Sequence, residues 1–138
     1  MRPLYETQYD RDLEQTLMDL FCEYKGYSQN KKLNISERLD FSFSHNGELA
    51  GFAEVKVRNN TCEKYPTYMI SLTKLQSAWQ LYKQYRKPCY LIVGWTDCKG
   101  MIDFFSHPYV DVGGRKDRGD IADIELVCHY DISRFVLF

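Results

Sequence analysis

Asp40, Glu54 and Lys56 are the residues whose types and spacing could do chemistry. Glu54 and Lys56 lie two apart in "GELAGFAEVKVR", residues 47–58, a stretch of strand composition. Side chains alternate along a strand, so Phe52, Glu54, Lys56 and Arg58 share one face while Ala53, Val55 and Val57 take the other. On a wet face a carboxylate beside an ammonium is ordinary strand pairing. Flanked by Phe and Val in a small protein, it suggests a site. With Asp40 one hairpin earlier, two carboxylates and the Val55 carbonyl could hold a hard divalent cation. Such a cation acidifies a bound water and neutralises a phosphodiester, and an ammonium two residues on can steady the attacking water. The chemistry is metal-assisted phosphodiester hydrolysis.

The hairpin that must position these groups imposes a condition. "RLDFSFSHNGELAGFAEVKVR" reads as two strands around an Asn46-Gly47 turn. A flat two-residue loop pairs His45 with Glu48, and therefore Asp40 with Ala53, on the wrong face. A three-residue loop, or a one-residue bulge at Gly51, returns Asp40 to the face of Glu54 and Lys56.

Around the hairpin, "DRDLEQTLMDLFCEYKG" predicts a helix over about 9–25, with a stripe of Leu13, Leu17, Leu20, Phe21 and Tyr24 and a stop at Gly26. "KKLNI" is a short edge strand, and "NNTCEKYPTY" a polar loop. Ser71 is the N-cap of a second helix whose apolar face is Leu72, Leu75, Trp79 and Tyr82, closed by Pro88. "CYLIVGW" is a buried central strand, "TDCKG" a turn, "MIDFF" and "IELVCHYDI" further strands, and "DVGGRKDRGD" a Gly-rich loop. The expected class is α/β: a mixed sheet flanked by helices, in α-β-β-β-α-β-β order plus a terminal strand.

Composition narrows the function. The 138 residues fit one domain, 1–138, and 44% hydrophobic with 15% aromatic residues indicates a folded chain. A formal net charge of −1 excludes a polycation, so nucleic-acid affinity must come from local patches or from bound metal ions. Five scattered Cys without a CxxC pair read as reduced thiols. Cys128-His129, with Cys89 and Cys98, lacks the spacing of a zinc site, and His45, His107 and His129 have no evident partner. The start "MRPLYETQYD" has no apolar signal region and no run is long enough to span a membrane, so the expected compartment is the cytoplasm.

Helix, hairpin with Asp40 and Glu54-x-Lys56, helix and buried strand together resemble the PD-(D/E)XK nuclease superfamily, including Holliday-junction-resolvase-like members. "RPLYET", "YPTYMISLTK" and "GGRKDRGD…HYDIS" are similar to small phage-encoded proteins of that superfamily. The resemblance implies a restriction-endonuclease-like core and a Mg²⁺- or Mn²⁺-dependent DNA endonuclease, selective for branched structures in some members and acting in the host-cell cytoplasm. It assigns Asp40 and Glu54 as metal ligands and Lys56 as the catalytic lysine. It adds an acidic residue from the first helix, Glu14 in preference to Asp10, and Lys74 as an accessory phosphate contact at a helix N-terminus. Leu39 stands where the name-giving Pro would be. DNA is the implied partner, and a homodimer is admitted because resolvase-like relatives pair to coordinate two cuts. Some members have lost catalysis and only bind DNA or, in the competing reading, a host protein.

Several residues also have plain structural explanations. Arg58 and the loop cations Arg115, Lys116 and Arg118 could grip a DNA backbone, although Asp117 and Asp120 would leave the loop self-neutralised. Lys83, Arg86 and Lys87 complement a helix C-terminus. Tyr65 and Tyr68 could stack on bases, whereas Trp95, after a buried strand, belongs to the core.

Overall fold

A computed structural model describes residues 8–34, 38–114 and 124–138. Helix α1 (Gln8–Lys25) is followed by β1 (Gln29–Lys32), β2 (Phe41–His45), β3 (Glu48–Val57) and β4 (Thr67–Ser71). Helix α2 (Leu72–Tyr85) leads into β5 (Cys89–Gly94), β6 (Lys99–Asp103), β7 (Tyr109–Gly114), β8 (Ile124–Asp131) and, after a 3-10 turn (Ile132–Arg134), β9 (Val136–Leu137). Six strands form one sheet in the order β1-β2-β3-β5-β6-β9, and three form a second in the order β4-β8-β7. Among the described residues only β3 and β5 run parallel, Phe52 opposite Cys89 through Val57 opposite Gly94. That pairing requires a crossover, made by β4 and α2. The mixed α/β class is therefore as expected.

Two cores sandwich the larger sheet. On one face, Leu17, Met18, Phe21 and Cys22 of α1 pack with Phe41, Phe43, Ala53, Val55 and Ile92. On the other, Ala78 and Leu81 of α2 and Tyr68, Ile70, Cys128 and Tyr130 of the smaller sheet cover Phe52, Leu91 and Val93.

Three strands depart from the sequence expectation. β4 emerges from the expected polar loop because Tyr68 and Ile70 are buried and Met69 is exposed, a period of two confirmed by pairing with β8. The β7 ladder extends through Gly113 and Gly114, where glycines suggested a loop; β8 supplies hydrogen bonds that outweigh their weak strand preference. The third, β9, is only two residues long. Both helical faces are also rotated from expectation. Leu20 and Tyr24 of α1 are 39% and 51% exposed, since the buried stripe turns toward Met18 and Cys22. Trp79 of α2 is 49% exposed, and the small Ala78 faces the sheet, close enough for its carbonyl to accept from the Cys89 thiol at 3.5 Å.

Candidate active site

The β2–β3 ladder starts from the two-residue turn, with Asn46 at φ 51° and Gly47 at φ 83°, the positive angles of a tight hairpin. His45 pairs with Glu48 and Ser44 with Leu49; the register then shifts, and Phe43 meets Gly51, Ser42 meets Phe52 and Phe41 meets Ala53. Ala50 is the extra residue of a bulge. A Cβ on Gly51 would stand 2.5 Å from the Phe43 ring and 2.6 Å from the Pro88 carbonyl, so only glycine fits this close approach. One residue beyond Phe41, the shifted register brings Asp40 alongside Glu54. There the Asp40 Oδ2 atom accepts a hydrogen bond from the Val55 N–H at 3.1 Å. In a strand the N–H and C=O of one residue project to the same side, so the Val55 carbonyl shares that edge with Asp40.

Glu54 is the single fully buried charged side chain among the described residues. Ser71 caps α2 by accepting from the Thr73 N–H at 3.3 Å, and the first turn so fixed carries Lys74 toward the sheet. Lys74 Nζ lies 3.1 Å and Lys56 Nζ 3.5 Å from Glu54 Oε2. Neither carboxylate oxygen gains a well-directed hydrogen bond, and Oε1 has no ion-pair partner among the described residues. Burial raises the Glu54 pKa above the ordinary carboxylate value; the neighbouring Asp40 charge adds to this, and Lys74 and Lys56 oppose it. The result is an enclosed carboxyl beside a second carboxylate, incompletely satisfied by two ammoniums. Oxygen donors of this kind suit a hard divalent cation.

Beside this pair opens a polar cleft of about 540 Å³, lined by Asp10 and Glu14 of α1, Lys32, Asp40, Lys56 and Arg58. Although α1 packs on the opposite face of the sheet, its first turns bring Asp10 and Glu14 to this cleft, near the end of the sheet where β2 begins and β1 stops. Glu14 pairs with Lys32 at 3.4 Å. Asp10 shares the cleft, so both helix carboxylates stay in contention. Lys74, expected as a phosphate contact, has its ammonium against Glu54. The Arg58 guanidinium, which also lines the cleft, lies 5.1 Å from the centre of the Tyr68 ring. Arg115, Lys116 and Arg118 lie outside the described residues.

Other expectations change. Tyr68 is buried, which removes it as a base-stacking surface, while Tyr65 is exposed and Trp95 is core. His129 does have partners: Nδ1 is 2.8 Å from Thr67 Oγ1, and its ring stacks on Tyr109 at 4.7 Å. Cys89 and Cys128 are buried in the core, while Cys98 meets Cys62 and Asp97, residues 36 and one position away that thiol spacing alone did not connect. The Glu54–Lys74 pair was equally illegible, although a lysine in the first turn of a capped helix was the available signal.

The family model described as phage putative PDDEXK endonuclease matches residues 1–137. The chain belongs to that family. Among solved structures it is similar to the Holliday junction resolvase Hjc of Archaeoglobus fulgidus, with a TM-score of 0.57 and 8% identity over 90% of each chain. At that identity the likeness concerns the fold, which the PDDEXK chain and the resolvase share. No curated protein matches the sequence. No helix of the described residues is long and apolar enough to cross a membrane.

Proposed function

We infer that this PDDEXK protein is a metal-dependent DNA endonuclease. Asp40, Glu54 and the Val55 carbonyl would hold Mg²⁺ or Mn²⁺, with Glu14 as the carboxylate from α1. When bound, the ion acidifies a water and neutralises charge on the scissile phosphate. The observation that carries this reading is the buried, incompletely satisfied Glu54 carboxylate with Asp40 beside it, next to a polar cleft. A buried carboxylate costs several kcal/mol, which a purely structural strand would avoid by using an apolar residue.

The remaining roles fall to this chain's own cations. Lys56, one-third exposed at the cleft, donates to the attacking water and to charge developing on the phosphate. Arg58 engages the DNA backbone, and Arg115, Lys116 and Arg118 are further candidate DNA contacts from the sequence. Lys74 holds the Glu54 carboxylate in place. DNA is the substrate, branched DNA included, and the whole chain acts as one domain in the cytoplasm of an infected host, with a homodimer the assembly to test.

Incubation of supercoiled, linear and four-way-branched DNA with the protein and Mg²⁺, Mn²⁺ or chelator tests the reading. Cleavage in metal, absent with chelator and absent in Glu54→Gln, is the expected result. DNA binding without cleavage in any metal would assign the chain to the inactive, binding-only class of this fold.

A further inference from the structure

Cys62, Asp97 and Cys98 form a second cluster of ligand-type side chains. Cys62 lies in the polar stretch after β3, and Asp97 and Cys98 form the turn between β5 and β6. The Cys62 N–H donates to Asp97 Oδ1 at 3.0 Å, and the Cys62 Sγ lies 3.6 Å from Asp97 Oδ2. With the Cys98 Sγ, the three ligand atoms all fall within 4.8 Å of one another. Both thiols are half-buried and Asp97 is exposed, so ions can reach the cluster.

We propose that Cys62, Asp97 and Cys98 form a binding site for a thiophilic divalent cation, with zinc the best fit. Zinc binds thiolate sulfur at about 2.3 Å and carboxylate oxygen at about 2.0–2.2 Å, so a sulfur–oxygen edge of its tetrahedron is roughly 3.6 Å. The Cys62–Asp97 separation of 3.6 Å already has that length. Two sulfurs and one oxygen leave the fourth corner to water.

The ligands are also held in advance. Arg58 N donates to the Gly94 carbonyl at 2.8 Å, Thr96 N to Asn60 at 3.1 Å, and Trp95 N to Cys98 at 2.8 Å. These backbone bonds fix both segments before any ion arrives, which lowers the ordering cost of binding. Donor type separates this cluster from the Asp40–Glu54 pair: thiolates select zinc, and oxygen-only ligands select magnesium or manganese. Zinc here would tie the segment that begins at Arg58 to the β5–β6 turn, and this binding does not depend on the nuclease reading.

The test uses the full chain, reduced and stripped of metal. Zinc is titrated against a chromophoric chelator, and cadmium against its ultraviolet thiolate charge-transfer band. One equivalent should bind and survive excess Mg²⁺. Cys62→Ser and Cys98→Ser should each weaken it at least about 100-fold and Asp97→Asn about tenfold, whereas Cys22→Ala should bind as before. In the unsubstituted chain, zinc should protect Cys62 and Cys98 from alkylation, read by mass spectrometry; this arm stands even where a variant fails to fold. Absence of stoichiometric binding overturns the proposal. So does protection of other cysteines, or a Cys62–Cys98 disulfide whose reduced form takes up no zinc.

Discussion

The two faces of β3 make opposite uses of one strand. Ala53 and Val55 point into a wholly apolar core under α1, where Phe21, Phe43 and Ile92 surround them. Phe52 and Glu54 point the other way, and there a fully buried carboxylate interrupts the core beneath α2. The first face supplies stability through apolar area removed from water. The second gives up part of that stability to keep a buried charge, which in the proposed function is where a cation and a phosphate meet it. A strand buried on both sides can therefore carry a wholly apolar face and a face with a buried charge one residue apart.

Substitutions on the two faces should separate these uses most sharply. Phe21→Ala is expected to lower stability by about 3–5 kcal/mol in denaturant unfolding, while leaving the cleavage rate of the folded fraction near wild type. Glu54→Gln should do the reverse. Cleavage falls at least about 10³-fold, and the metal-free protein melts at or above the wild-type temperature because a buried charge has been removed. A Glu54→Gln variant that melts well below wild type and still cuts would abolish the distinction.

Lys56→Ala is expected to cost roughly 10²-fold in cleavage with little change in stability, since its side chain is one-third exposed and solvent screens its ion pair with Glu54. Gly51→Ala probes the bulge that puts Asp40 beside Glu54. Its Cβ would meet Phe43 and Pro88, so a loss of about 1–3 kcal/mol should accompany weaker binding of Mn²⁺, measured calorimetrically.

The smallest effect concerns pH. Glu54 titrates above its ordinary 4.5 in the folded protein, so the folded state holds this proton more tightly than the unfolded chain does. The associated stability is present at low pH and is lost as pH rises from 4.5 through the folded value. Urea midpoints of metal-free wild type should therefore fall across that window relative to Glu54→Gln. Parallel curves would show that Glu54 is not perturbed.

Much of the site could be read from residue order. Strand alternation put Glu54 and Lys56 on one face, and the Asn46-Gly47 turn with the position of Asp40 required either a three-residue loop or a bulge at Gly51; the structure keeps the two-residue turn and makes the shift with Ala50, the residue before Gly51. Ser71 was legible as an N-cap because capping depends on neighbouring residues alone. Local rules failed where partners are distant. β4 and β7 exist because β8 lies between them, and nothing within "NNTCEKYPTY" or "DVGG" announces a strand that arrives later in the chain. Which helix face is buried likewise depends on how closely the sheet approaches, and Ala78 permits an approach that Trp79 would block.

The sequence by itself determined the alternation along β3, the hairpin turn and the chemical character of the paired carboxylates, because these rest on contacts between near neighbours. Only the tertiary structure decided that Lys74 reaches Glu54 and that Cys62 meets Asp97 and Cys98. Those meetings depend on the β3–β5 crossover, which brings together segments whose separation along the chain carries no trace of their proximity.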